Sequence, residues 1–254
     1  MLVEFEQSSG IGILRLRRPE SANALNSELL RQIYKLQVSL RRDRRVRVVI
    51  TVGEGKGFCA GSDLRELAKL SPLRAEKSQL LEAKVCREFL RLPQPTIAGV
   101  HGYALGGGLC LAVHHDFQVV AADARLGLPE VKLGWNPTFG IQRLCQLVGL
   151  GVANRWLMLG TEIPASEAAS QGCITEVVAA GKDVLAACRR LAERLLEIPA
   201  TGLAAIKQSL WVAQGAQLLR ADKRDARLYR QCLALSDAQA STRRYEKAVS
   251  KTPE

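Results

Sequence analysis

Ile97–Leu133, IAGVHGYALGGGLCLAVHHDFQVVAADARLGLPEVKL, decides how the rest of the chain is read. A short apolar run, Pro95 to Val100, reads as a strand ending near Gly102. Three glycines follow, Gly106-Gly107-Gly108, and then a helix-like apolar run, Leu109 to Val113. A strand that breaks at glycines and restarts as a helix leaves backbone N–H groups without partners at the helix start. Helped by the helix dipole, they favour an anion or a developing oxyanion. Glycine also lets a ligand approach the backbone closely and tolerates φ > 0. Further on, Pro129-Glu130 sets a carboxylate in an apolar stretch. Oxyanion donors and a shielded carboxylate together suit proton chemistry beside a carbonyl. The triplet alone also fits a tight turn or a close packing contact. It is neither a dinucleotide fingerprint, for want of the G-x-G-x-x-G spacing, nor a phosphate loop, for want of a following Gly-Lys-Ser/Thr.

Outward from this stretch, strands and helices alternate. Val3 to Leu16 alternates in part around Ser8-Ser9-Gly10 and reads as a hairpin. Asn23 and Asn26 are cap candidates for a helix carrying Leu29, Ile33, Leu36 and Leu40 at helical spacing. Val46 to Val52 is β-branched and reads as a buried parallel strand. Phe58 to Leu64 is a small-residue segment opening a helix. Leu67 to Leu92 is helical, with a possible break at Ser71-Pro72. Thr96–Val100, Phe117–Ala121, Ala124–Leu128 and Ile174–Val178 read as strands; Ile141–Val148, Val152–Leu159, Ala165–Gln171 and Leu185–Leu196 read as helices. This alternation predicts an α/β chain with a parallel or mixed sheet. Beyond Pro199 the pattern is helical and charged, with Leu203, Ile206 and Leu210 on one face, so the chain divides into a core, 1–198, and a helical C-terminal region, 199–254.

The 254 residues suffice for a sizeable core, and 47% hydrophobic content argues against disorder. No apolar run is long enough to span a bilayer, and the N-terminus lacks a secretory pattern. Seven scattered cysteines without a C-x-x-C pair suit buried small side chains in a reducing, cytoplasmic setting. The three histidines offer no metal-ligand spacing, so no metal is expected. The net charge of +11 is concentrated in Arg41–Arg47 and Lys223–Lys251. A solvated basic face and nucleic acid are alternative readings of that excess. Aromatics at 5% and the lack of a nucleic-acid module argue against the second, and a ligand carrying several phosphates is the preferred reading.

Four stretches in register resemble the crotonase superfamily, the enoyl-CoA hydratase and isomerase group. Arg18-Pro19-Glu20-Ser21-Ala22-Asn23-Ala24-Leu25 resembles the family's R-P-x-x-x-N-A-L loop. Gly57-Phe58-Cys59-Ala60-Gly61-Ser62-Asp63-Leu64 resembles its F-x-A-G-x-D-L/I segment, and Gly102–Gly108 its G-x-x-x-G-G-G segment. Leu128-Pro129-Glu130 with Leu133-Gly134 resembles its P-E-x-x-x-G segment. The resemblance implies a crotonase-like spiral of ββα turns, with a helical C-terminal trimerisation region and a homotrimer or hexamer. It implies an acyl-CoA substrate and no cofactor beyond the coenzyme A of the substrate itself. The thioester oxygen would sit between the backbone N–H groups of Ser62 and Gly107, with Glu130 as acid/base. Ala60, Asp63, Leu64, Arg65, Cys110 and Trp135 would line the substrate path, with Phe139 beside the acyl group; Lys247 and Lys251 would reach toward phosphates.

One position departs from the family's hydratases, which carry two glutamates. The first, after G-G-G-x, is Cys110 here. A buried neutral thiol is a poor substitute for a carboxylate, because free Cys titrates near 8.5 and apolar burial raises that value. One carboxylate suffices to move a proton between two carbons of an enoyl thioester, so double-bond isomerisation is the expected reaction. Hydration with a modified site, decarboxylation, thioester hydrolysis, and a non-catalytic scaffold or RNA-binding role are the alternatives. Lys132 is a candidate ion-pair partner that would make Glu130 structural, and His101, His114 and His115 are expected to be structural.

Overall fold

The computed structural model describes residues 1–236 and 238–241. A hairpin, β1 (Val3–Ser8) and β2 (Ile11–Leu16), opens the chain as expected. Asn26 caps α1 (Ser27–Leu40), its side chain accepting the Leu29 N–H at 2.8 Å. The other cap candidate, Asn23, does a different job. It sits at φ 55° and ties the loop to Glu54 O and Gly57 O through its amide. Next, β3 (Val48–Gly53) lies buried along its whole length and pairs in parallel with β2, Ile13 opposite Ile50. The parallel series continues through β4 (Thr96–Val100), β6 (Phe117–Ala121) and β9 (Glu176–Val178), giving a six-stranded sheet in the order β1-β2-β3-β4-β6-β9. Burial on both faces explains the β-branched run Val48–Val52 of β3.

A second, three-stranded sheet forms from β5 (Tyr103–Leu105), β7 (Arg125–Gly127) and β8 (Glu162–Ile163). Strands β4 and β5 followed by α4 (Gly107–Val113) make one ββα turn of a spiral. Its helix starts at the second glycine of the triplet.

The helix break at Ser71-Pro72 divides a short α2 (Leu64–Leu67) from α3 (Pro72–Arg91), with Pro72 at the first turn, where no N–H is needed. The two expected helices after Gly140 run as α5 (Ile141–Leu159), which bends where Gly149 takes φ 76°. After α6 (Ala165–Ser170) and β9, α7 (Val184–Leu196) covers β3, β4 and β6. The long helix α8 (Ala200–Leu233) follows Pro199 and packs along α3.

The inward face of α8 is not the one its leucines suggest. Ile206 and Leu210 are 60% and 54% exposed, while Lys207 is buried. Its ammonium donates to Phe89 O at 3.0 Å, Gln94 O at 2.9 Å and Asp116 Oδ2 at 2.5 Å. A buried ammonium with three acceptors is satisfied, and it pins α8 to the end of α3 and to the loops that lead into β4 and β6. Lys247 and Lys251 lie outside the described residues. No helix among the described residues is long and apolar enough to cross a membrane.

Candidate active site

The bend at the glycine triplet and the bend before α2 meet. Cys59 pairs with Ala104 by an isolated parallel bridge, which draws the segment Gly57–Asp63 along β5. Leu25 and Ser62 form a second such bridge through Leu25 N–H to Gly61 O (2.8 Å) and Asp63 N–H to Leu25 O (3.2 Å). This pattern leaves Ser62 N–H out of the ladder. Gly107 N–H stands at the start of α4, where no helical acceptor exists. Neither N–H meets an acceptor among the described residues. A β-carbon on Gly61 would lie 3.1 Å from Gly107 N, and one on Gly107 would lie 3.3 Å from Ser62 N. Two unpaired amides therefore flank one spot, a geometry suited to a single acceptor oxygen.

Glu130 reaches the same spot from a 3-10 turn, Pro129–Leu133, placed by Pro129 at the end of β7. Gly106 takes φ 52°, and a β-carbon there would stand 2.8 Å from Glu130 Oε1. The glycine thus supplies both the backbone turn and the room for the carboxyl. Glu130 makes no ion pair among the described residues, so the Lys132 pairing is not formed, and its buried Oε2 has no hydrogen-bond partner. Burial pushes this carboxyl up to about 7, partly opposed by a backbone hydrogen bond.

These groups face a cavity of about 710 Å³. Among the described residues, each oxyanion, acid–base and substrate-path residue expected from the sequence lines it: Ala60, Ser62, Asp63, Leu64, Arg65, Gly107, Cys110, Glu130 and Trp135. Their environments differ. Asp63 is already engaged, its Oδ1 accepting Glu66 N–H at 3.1 Å to cap α2 and its Oδ2 accepting Arg18 Nη1 at 3.0 Å. Arg65 is exposed, and Lys69 joins it in the wall. Trp135 is 7% exposed and stands edge-on to Tyr229 of α8, ring centroids 5.8 Å apart. Cys110 is buried with its Sγ 3.4 Å from Phe139 O, and burial raises its thiol well above the ordinary range. It faces the cavity as a neutral thiol. Phe139 also lines the cavity.

None of the three histidines lines the cavity. His114 and His115 are buried, their Nδ1 atoms against Cys110 O and Leu111 O, and burial lowers both to about 3. His101 Nε2 lies 2.9 Å from Gly55 O. No group of side chains suited to holding a metal occurs among the described residues.

Sequence reading passed over Gln79, Thr138 and Tyr229, which line the cavity, and Glu82, which stands behind Ser62. A signal for Glu82 existed. Ala75, Gln79, Glu82 and Cys86 recur at helical spacing on the buried face of α3, so this glutamate places an ionisable group on a stripe of uncharged residues.

The spiral of ββα turns with a helical C-terminal part is the crotonase fold. Among solved structures, an enoyl-CoA hydratase/isomerase from Xanthobacter autotrophicus superposes with a TM-score of 0.88 at 27% identity, covering 97% of this chain and 93% of that one. The Enoyl-CoA hydratase/isomerase family profile matches residues 6–251, and the chain belongs to that family. Its curated relatives include the short-chain-enoyl-CoA hydratase of Clostridium acetobutylicum, 37% identical over 69% of this chain and 68% of the relative. The crotonyl-CoA hydratase of Syntrophomonas wolfei is 37% identical over 75% of this chain and 74% of its own length.

Proposed function

We propose that the protein hydrates a 2-enoyl-CoA thioester, with the thioester oxygen held by Ser62 N–H and Gly107 N–H and with Glu130 moving the proton. The observation that carries this is the convergence of two unpaired amides beside a buried carboxyl without a counter-ion. Charge that develops on the thioester oxygen is stabilised by donors already in place, each contributing roughly 3–4 kcal/mol to the barrier. Glu130, raised to about 7, is near the value that suits proton transfer at neutral pH.

Ala60, Leu64 and Trp135 form the apolar walls for the acyl thioester in this reading, with Cys110 as neutral filler and Asp63 holding the wall in shape. Arg65 and Lys69 stand where the phosphates of coenzyme A enter. The exposed apolar residues of α8 suit contact between copies in a homotrimer or hexamer. Besides the thioester the reaction consumes only water, and the acid–base groups of the chain suffice without a separate cofactor.

Isomerisation of a 3-enoyl-CoA, the expectation drawn from Cys110, is the second reading. The names of the relatives favour hydration over it. Loss of the conjugated thioester absorbance with a 2-enoyl-CoA, compared with its gain from a 3-enoyl-CoA, separates the two. Hydration faster by at least about tenfold supports the first; the reverse order supports isomerisation.

A further inference from the structure

Glu82 is a glutamate on α3 that is 1% exposed and held at the back of the cavity wall. Its Oε1 lies 2.9 Å from Ser62 Oγ, close enough for either group to donate, and its Oε2 accepts the Gln79 side-chain amide at 3.3 Å. A β-carbon on Gly107 would collide with Oε1, so the bare backbone at Gly107 makes room for this carboxyl just as Gly106 does for Glu130. The two carboxyls thus lie against successive residues of one bend. No ion pair reaches Glu82 among the described residues. A buried carboxyl without a counter-ion is costly for stability, and functional sites are where such cost is found.

We propose that Glu82 is the second acid–base carboxyl of the site, replacing the one absent at Cys110 and acting on the substrate through the Ser62 hydroxyl. This rests on the hydratase reading above. Water attacks the β-carbon and gives one proton to the Glu130 carboxylate. The electron pair of the double bond moves onto the thioester oxygen between the two amides. As that enolate collapses, the α-carbon takes the proton of the Ser62 hydroxyl, which is replaced in the same step by the proton of the Glu82 carboxylic acid. Glu82 is left ionised and Glu130 protonated. Exchange with solvent restores both, and the sum is water added across the double bond.

The surroundings favour a protonated Glu82. Burial pushes its carboxyl up to about 8; the Ser62 bond opposes this, and the neighbouring carboxylates Glu130 and Glu66 add to it. The other titratable groups facing it are Cys59 before α2, Cys86 on α3, Cys110 on α4 and Tyr229 on α8, all raised by burial and so neutral.

The test compares parent, Glu82→Gln, Glu82→Asp and Ser62→Ala in steady-state hydration of a 2-enoyl-CoA across pH. Ser62→Ala keeps the backbone N–H and removes only the hydroxyl. Glu82→Gln and Ser62→Ala are expected to lose about 100-fold in kcat with KM within about threefold. Glu82→Gln also loses the alkaline limb of the pH profile, and Glu82→Asp recovers part of the rate. A merely structural glutamate would leave the shape of the profile unchanged. If Glu82→Gln does not fold, as judged by circular dichroism, Ser62→Ala decides alone. An active parent whose folded variants keep kcat within about threefold and the same profile overturns the relay. A parent that hydrates no 2-enoyl-CoA overturns the hydratase reading and the relay with it, a result distinct from the former.

Discussion

Two buried carboxyls without counter-ions give the stability of this protein a definite dependence on pH. Glu82 and Glu130 are raised from 4.5 to about 8 and about 7 by burial. A carboxyl raised in the folded state holds its proton where the unfolded chain has released it. The stability it contributes is complete below about 4.5 and is lost as pH rises through the folded values. Urea unfolding is therefore expected to weaken between pH 5 and pH 8.5. Glu82→Gln should flatten that slope and be more stable than the parent at pH 8 by at least about 1 kcal/mol. An identical slope in parent and variant would contradict the assigned environment. Catalysis has its own window: kcat/KM should fall below about pH 7 as Glu130 gains a proton and above about pH 8 as Glu82 loses one. The two limbs belong to the coupled pair. Glu130 was legible in the sequence because Pro129 and Gly134 bracket it in a recognisable segment. Glu82 was passed over because a glutamate on a charged helix ordinarily faces solvent; its place on the buried stripe of α3 was the one signal, and its burial against Ser62 makes that signal plain.

At the level of elements, the glycine bend carries the site. Gly106 sits at φ 52°, ψ −125°, a region that side chains strongly disfavour. Gly106→Ala should cost roughly 1–3 kcal/mol in stability. It should also slow hydration by more than about tenfold, because the new methyl displaces Glu130 Oε1; wild-type rates in this variant would remove the bend from the account. The parallel strands and the helices around them were legible because buried β-branched runs and caps such as Asn26 act locally. Strands β5 and β8 were not, since pieces this short are set by pairing rather than by propensity. The face of α8 was misread for a related reason. Lys207 turns inward to meet Phe89 O, Gln94 O and Asp116, and no periodicity of leucines reveals that. Lys207→Ala should cost about 3–5 kcal/mol in chemical unfolding, since it strands a partly buried carboxylate. A change below about 1 kcal/mol would mean α8 is held elsewhere.

For the whole molecule, apolar side chains remain on the outer surface of α8, with Ile206, Leu210 and Val212 all more than half exposed. A surface of this kind suits contact between copies. Light scattering should find an assembly of at least three chains, and a double change of Ile206 and Leu210 to Asp should reduce its mass; a parent that runs as a monomer contradicts the proposed assembly. The catalytic account is tested most directly by the hydration rate of a 2-enoyl-CoA measured for the parent and for Glu130→Gln side by side. It predicts a loss in kcat of about 10²–10⁴-fold in the variant, while a Glu130→Gln protein that hydrates as fast as its parent would contradict it.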